Sequence, residues 1–130
     1  MEMHYILLGD PIPLARARYG NKRVWDSQKE LKLVSGLNLA QQHGKNRQFL
    51  GPLHIDAVFY MYMSQNLKKS IKVPGTYHYF KPDLDNLIKF ICEICSNNIA
   101  YNNDCIISSI SAKKLYDSNP RTEINIKELL

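Results

Sequence analysis

Residues 81–89 read KPDLDNLIK and set two carboxylates, Asp83 and Asp85, directly before an apolar run, with Lys89 four residues beyond Asp85. Pro82 disfavours the α region for the residue before it, so the chain reaches Asp83 extended. Side chains two apart on an extended chain point the same way, which lets Asp83 and Asp85 converge just ahead of a helix. Lys89 then lies one turn from Asp85 on the same helix face, and Glu93 one turn further. Acidic side chains at a helix start also satisfy free N–H groups and suit the helix dipole, but one aspartate is enough for that. A second, flanked by lysines, makes the oxygen-rich cluster that hard cations such as Mg²⁺ take. Asp104, in YNND, stands at the mouth of the β-prone run CIISSIS. If that strand lies next to the helix start, three carboxylates meet. Such a trio can hold one or two Mg²⁺ ions, which activate a water and stabilise the departing oxygen of a phosphodiester. A nearby lysine offsets charge on the transition state.

Several elements must position these residues. A strand is expected from about Tyr5 to Leu8, stopped by GDPIP, followed by a basic loop or hairpin around Tyr19, Gly20 and Asn21. Asp26 or Ser27 can cap a helix from about Gln28 to His43, with Leu31, Val34, Leu37 and Leu39 as its apolar stripe and Gly44 as its stop. In LHIDAVFYMYM, Leu53, Ile55, Ala57, Phe59 and Met61 alternate with His54, Asp56, Val58 and Tyr60, the clearest strand in the chain. A long basic and aromatic connection with a Pro-Gly turn leads to a second helix from about Asp85 to Ser96. CIISSISAKKLY and RTEINIKEL give two last strands, joined by a turn at Ser118 to Pro120. The pattern predicts an α+β domain with two helices on one sheet.

A chain of 130 residues fits one domain, and 45% hydrophobic residues argue against disorder. No apolar run approaches bilayer length and the start lacks a secretory leader, so a cytoplasmic protein is expected. Cys92, Cys95 and Cys105 make an odd count. Although CEIC matches CxxC, it falls on the apolar face formed by Leu87, Ile88, Ile91, Cys92 and Cys95, so these thiols are read as packed side chains. The net charge of +5 favours a polyanionic partner. The positive charge gathers at Arg16, Arg18, Lys22 and Arg23, and again at Lys68, Lys69, Lys72 and Lys81. Tyr77, Tyr79 and Phe80 are read as covering the core or a dimer interface, with base stacking as the other role, and His78 as a satisfied loop histidine.

KPDLDNLIK, its spacing to Asp104, and the opening GDPIPLARARYGNKRVW together resemble the RusA family of Holliday junction resolvases of bacteria and phages. The resemblance runs from about Tyr5 to Ile126. It implies a RusA-like fold, a small mixed β-sheet flanked by two α-helices, as a single domain over residues 1–130. It also implies a homodimer that resolves four-way junctions by paired, Mg²⁺-dependent hydrolysis of phosphodiesters, in recombination and repair, with Mn²⁺ as a substitute metal. Asp83, Asp85 and Asp104 would be the metal-binding catalytic carboxylates and Lys89 the catalytic lysine, with Asn86 fixing the helix start. Arg16, Arg18, Lys68, Lys69, Lys72 and Lys81 would contact DNA phosphates. Many members carry two acidic residues followed two positions later by Gln, where this chain has Asn103, Asp104, Cys105 and Ile106. That departure opens an alternative, a junction-binding protein with weak or lost catalysis. A sugar-nucleotide enzyme using DxD to hold a metal-bound diphosphate is a third class, but no Gly-rich phosphate loop accompanies the motif.

Overall fold

The computed structural model describes residues 1–130 except 16, 17, 21, 22, 68, 70, 71 and 98, and at 18, 19 and 23–25 the backbone alone. The elements are β1 (Glu2–Leu8), β2 (Arg18–Gly20), β3 (Arg23–Trp25), α1 (Lys29–His43), β4 (Leu53–Tyr62), α2 (Leu84–Cys95), β5 (Ile107–Asp117) and β6 (Arg121–Glu128). Four strands form a mixed sheet in the order β1-β6-β4-β5, and β2 and β3 pair as the expected small hairpin. β6 runs antiparallel to both β1 and β4, whereas β4 and β5 are parallel. A parallel pair cannot be joined by a tight turn, and the connection from β4 to β5 runs through α2. This α+β architecture is the expected one. No described helix is long and apolar enough to cross a membrane.

The alternation in β4 decides which face of the sheet carries the core. Leu53, Ile55, Ala57, Phe59 and Met61 are all buried, and Ile124 and Ile126 of β6 and Tyr5 of β1 extend the same layer. α2 closes it with Leu87, Phe90, Ile91, Ile94 and Cys95. Cys92, Cys95 and Cys105 are free thiols: Cys95 is buried, Cys92 half-buried and Cys105 exposed. Burial pushes the Cys92 thiol up to about 11, with the charge of Asp104 adding to the effect. Neither that thiol nor the fully enclosed Cys95 suits a redox or metal role, which needs the thiolate.

Helix α1 reverses one expectation. The stripe drawn through Leu31, Val34, Leu37 and Leu39 is not its inner face: only Leu39 is buried, while Leu33, Val34 and Leu37 are 61%, 66% and 63% exposed. Apart from Leu39, the inner face is polar or small. Gln28 donates to the Pro13 carbonyl and accepts from the Ala15 N–H. Lys32 bridges Asp26 and Glu93, tying α1 to α2, and buried His43 lies 2.6 Å from the Tyr5 hydroxyl. Hydrogen bonding allows these positions to face inward without leucine.

Two contacts lock the far end of the sheet. An added Cβ on Gly51 would stand 2.6 Å from the Cβ of Ile106, so the close approach of the two chains there requires glycine. Glu128 accepts both terminal nitrogens of Arg47, at 3.0 and 2.8 Å, and the Leu50 N–H at 2.9 Å. The Arg47 guanidinium, followed by the Leu50 N–H, holds this carboxyl well below its ordinary 4.5. A depressed native pKa gives stability that is present above about pH 4.5 and lost as pH falls further. Glu128→Gln is therefore expected to lower Tm at neutral pH and to flatten its decline below about pH 4.5. Thermal melts of both proteins from neutral to acidic pH check this; parallel curves would refute it.

Candidate active site

Asp83, Asp85 and Lys89 lie at the start of α2, and Asp104 lies just before β5. Asp83 is the N-cap residue of α2, with φ −68° and ψ 140°, yet its side chain makes no capping hydrogen bond. Asp85 sits in the first turn and its carboxylate is 3.7 Å from the Lys89 ammonium. Both aspartates are exposed. A side-chain cap therefore does not account for Asp83, while Asp85 suits the helix dipole from the first turn. The extended run expected to align them ends at Asp83, because the helix begins at Leu84 rather than Asp85. The Asn86 carbonyl accepts the Leu14 N–H at 2.9 Å, which ties the segment after β1 to α2.

Asp104 opens a short 3-10 turn, Asp104–Ile106, that leads into β5. Asn103 caps this turn by accepting the Cys105 N–H at 3.1 Å, a task asparagine and aspartate do about equally well. Ile106 packs against the core beneath Gly51. Both departures from the family pattern thus have a local structural use. The charge of Asp104 acts on Cys92, in the third turn of α2. Among the described residues no three His, Cys, Asp or Glu side chains are gathered closely enough to hold a metal ion. Asp104 and Lys89 do share an open groove of about 760 Å³ between α2 and the first residues of β5, with Ile88, Cys92, Ser108 and Ser109 also on its wall.

The connection before α2 is more ordered than its composition suggests. Gly75 N–H donates to Tyr116, Tyr116 N–H to Thr76 and His78 N–H to Lys114, so this segment adds to the outer edge of β5. Tyr77, Tyr79 and Phe80 do not cover the core: they are 67%, 68% and 51% exposed, and Tyr79 stacks on Phe80 with ring centroids 4.6 Å apart. His78 packs on the Tyr116 ring at 4.9 Å. Its Nδ1 is buried without a hydrogen-bond partner among the described residues, so it is not the satisfied histidine expected. Burial, then the neighbouring Lys114 charge, lowers its pKa.

Of the proposed phosphate contacts, Lys69, Lys72 and Lys81 are exposed on this connection. Arg16 and Lys68 lie outside the described residues, and for Arg18 only its backbone place in β2 is described. One residue escaped the motif reading altogether. Lys114 Nζ donates to the carbonyls of Phe80, at 2.6 Å, and Pro82, at 2.7 Å, and feels the Asp83 charge.

The exposed carboxylates of Asp83 and Asp85, with Lys89, thus lie at the start of the helix that joins the two parallel strands of the mixed sheet. The family described as endodeoxyribonuclease RusA matches residues 9–127. The chain belongs to that family, which implies Holliday junction resolvase nuclease activity on branched DNA. It is also similar to the uncharacterized protein YqaN of Bacillus subtilis (strain 168), at 26% identity over 140 residues covering 96% of this chain and 95% of the relative.

Proposed function

We propose that the protein is a Mg²⁺-dependent, structure-selective endodeoxyribonuclease that cuts four-way junctions in matched pairs, in recombination and repair. The observation that carries this reading is that the Asp83 side chain, at the N-cap, makes no capping hydrogen bond, and Asp85 pairs only at the surface with Lys89. Both stay open to solvent beside Lys89. Mg²⁺ is commonly held by one or two carboxylates, with water and substrate phosphate completing its shell, so it does not need a preformed cage of three. The donor set fits that style of site: hard, oxygen-only and exposed. When bound, the metal would supply Lewis acidity at a phosphoryl oxygen.

The chain's own side chains would do the rest. Lys89, between Asp85 and the groove that holds Asp104, can leave its exposed ion pair to meet negative charge on the phosphodiester. Lys69, Lys72 and Lys81 would draw the DNA backbone toward an otherwise acidic patch, giving affinity that falls as salt rises. The exposed pair Tyr79 and Phe80 would stack on bases opened at the crossover. Two such sites in a homodimer would suit a junction that needs two symmetric nicks, and the outward leucines of α1 support pairing of two copies.

A junction-binding role with weak catalysis draws on one observation, that the three carboxylates are not gathered. Incubating the purified protein with a synthetic four-way junction and with linear duplex, in Mg²⁺, Mn²⁺ or chelator, separates the two. Symmetric nicks in the junction alone, only with metal and from a dimeric species, are expected. Tight junction binding without metal-dependent nicking would favour the second reading.

A further inference from the structure

We propose that Lys114 is a positioning residue for Asp83, fixing the backbone that presents this carboxylate; the proposal rests on the nuclease reading of that site. Lys114 lies on the edge strand β5, in register with Phe59 of β4. Partners in a parallel pair face the same side, so its side chain points toward the buried layer on the face that carries α2, where Ile110, Ala112 and Tyr116 also point. Half-buried there, the ammonium loses part of its hydration, which acceptors offset. It finds the Phe80 and Pro82 carbonyls, at 2.6 and 2.7 Å, with the Asp83 carboxylate as its nearby counter-charge.

The same residue holds the segment a second time, because its backbone carbonyl accepts the His78 N–H at 3.0 Å. Residues 78–82 are therefore gripped from two sides by one lysine immediately before Asp83. This matters because Asp83 has no capping bond of its own to fix it. The Lys114 clamp on one side, and the bond from the Leu87 N–H to the Asp83 carbonyl on the other, define where its carboxylate begins. Lys114 can also serve simply to hold the 75–82 connection onto β5, and that role would not act through Asp83.

The test is single-turnover cleavage of a four-way junction by Lys114→Met, Lys114→Arg and the double variant with Asp83→Asn. Loss of a side chain that orients a metal-site carboxylate is expected to slow cleavage roughly 10- to 100-fold. The junction dissociation constant should stay unchanged, and Lys114→Arg, which keeps a cationic donor, should recover most of the rate. In the Asp83→Asn background, Lys114→Met should cost nothing further, because the two residues act as one unit. A wild-type rate for Lys114→Met, or a loss that multiplies with that of Asp83→Asn as a folding defect would, overturns the proposal. A readout independent of cleavage is the ¹³C carboxyl resonance of Asp83. It should move in Lys114→Met while that of Asp104 stays in place, and an unmoved Asp83 resonance overturns the proposal even if the wild type cuts nothing. Failure of the wild type to cut, with the resonance moved as expected, would overturn the nuclease reading and leave the clamp standing.

Discussion

Asp83→Asn and Asp85→Asn are each expected to slow single-turnover junction cleavage by about 10³-fold or more, the equivalent of several kcal/mol of transition-state stabilisation. The fold should not change. Both side chains are exposed, Asp83 makes no cap bond, and Asp85 loses only a surface ion pair with Lys89. Exposed changes of this kind move stability within about 0.5 kcal/mol, so Tm should hold. Binding should move the opposite way to cleavage. Each substitution removes a negative charge from a surface that must approach phosphates, so junction affinity measured in chelator should rise or stay level. Tighter binding with lost cleavage is the signature of a catalytic carboxylate, whereas a phosphate contact or a folding residue would lower both. Wild-type cleavage by either variant would remove that residue from the site.

What the sequence could show of this molecule follows from which forces leave a periodic trace. β4 was legible because alternate residues face one dry layer, and Leu53, Ile55, Ala57, Phe59 and Met61 are all buried there. α2 was legible for the same reason at helical period. α1 was not, because its inward positions are satisfied by hydrogen bonds rather than by hydrophobicity. Gln28, Lys32 and His43 each have specific partners, and no pattern of leucines predicts that.

The site divides along the same line. Asp83, Asp85 and Lys89 are adjacent in sequence, so helix geometry alone relates them. Asp104 is related to them only through the path of the chain from α2 to β5, which sets it in a groove with Lys89 and Cys92 without gathering the three carboxylates. Lys114 depends on strand register, which pairs it with Phe59. A signal for it did exist: in Ile110, Ala112, Lys114 and Tyr116 a lysine occupies the inward phase of an otherwise apolar alternation. A charge at such a position needs partners, and the partners here are the carbonyls just before Asp83.

Lys89→Met is the companion test, and its force lies in the contrast between two magnitudes. In stability, Lys89 contributes one exposed i,i+4 pair at 3.7 Å, worth about 0.3–0.5 kcal/mol. Thermal melts should register almost nothing. In cleavage, an ammonium that meets charge developing on the phosphodiester acts where water is displaced, and removing one such stabilising group costs about 10²- to 10³-fold. The loss should fall on kcat, with KM little changed, because the charge it meets is greatest in the transition state. Its place supports that role: it is within reach of Asp85 yet on the wall of the groove that holds Asp104. If Lys89 served only to anchor DNA, KM would rise, kcat would hold, and the salt dependence of binding would weaken by about one phosphate contact. Steady-state kinetics on a junction at two salt concentrations distinguishes these outcomes, and a variant with both constants unchanged would take Lys89 out of the reaction.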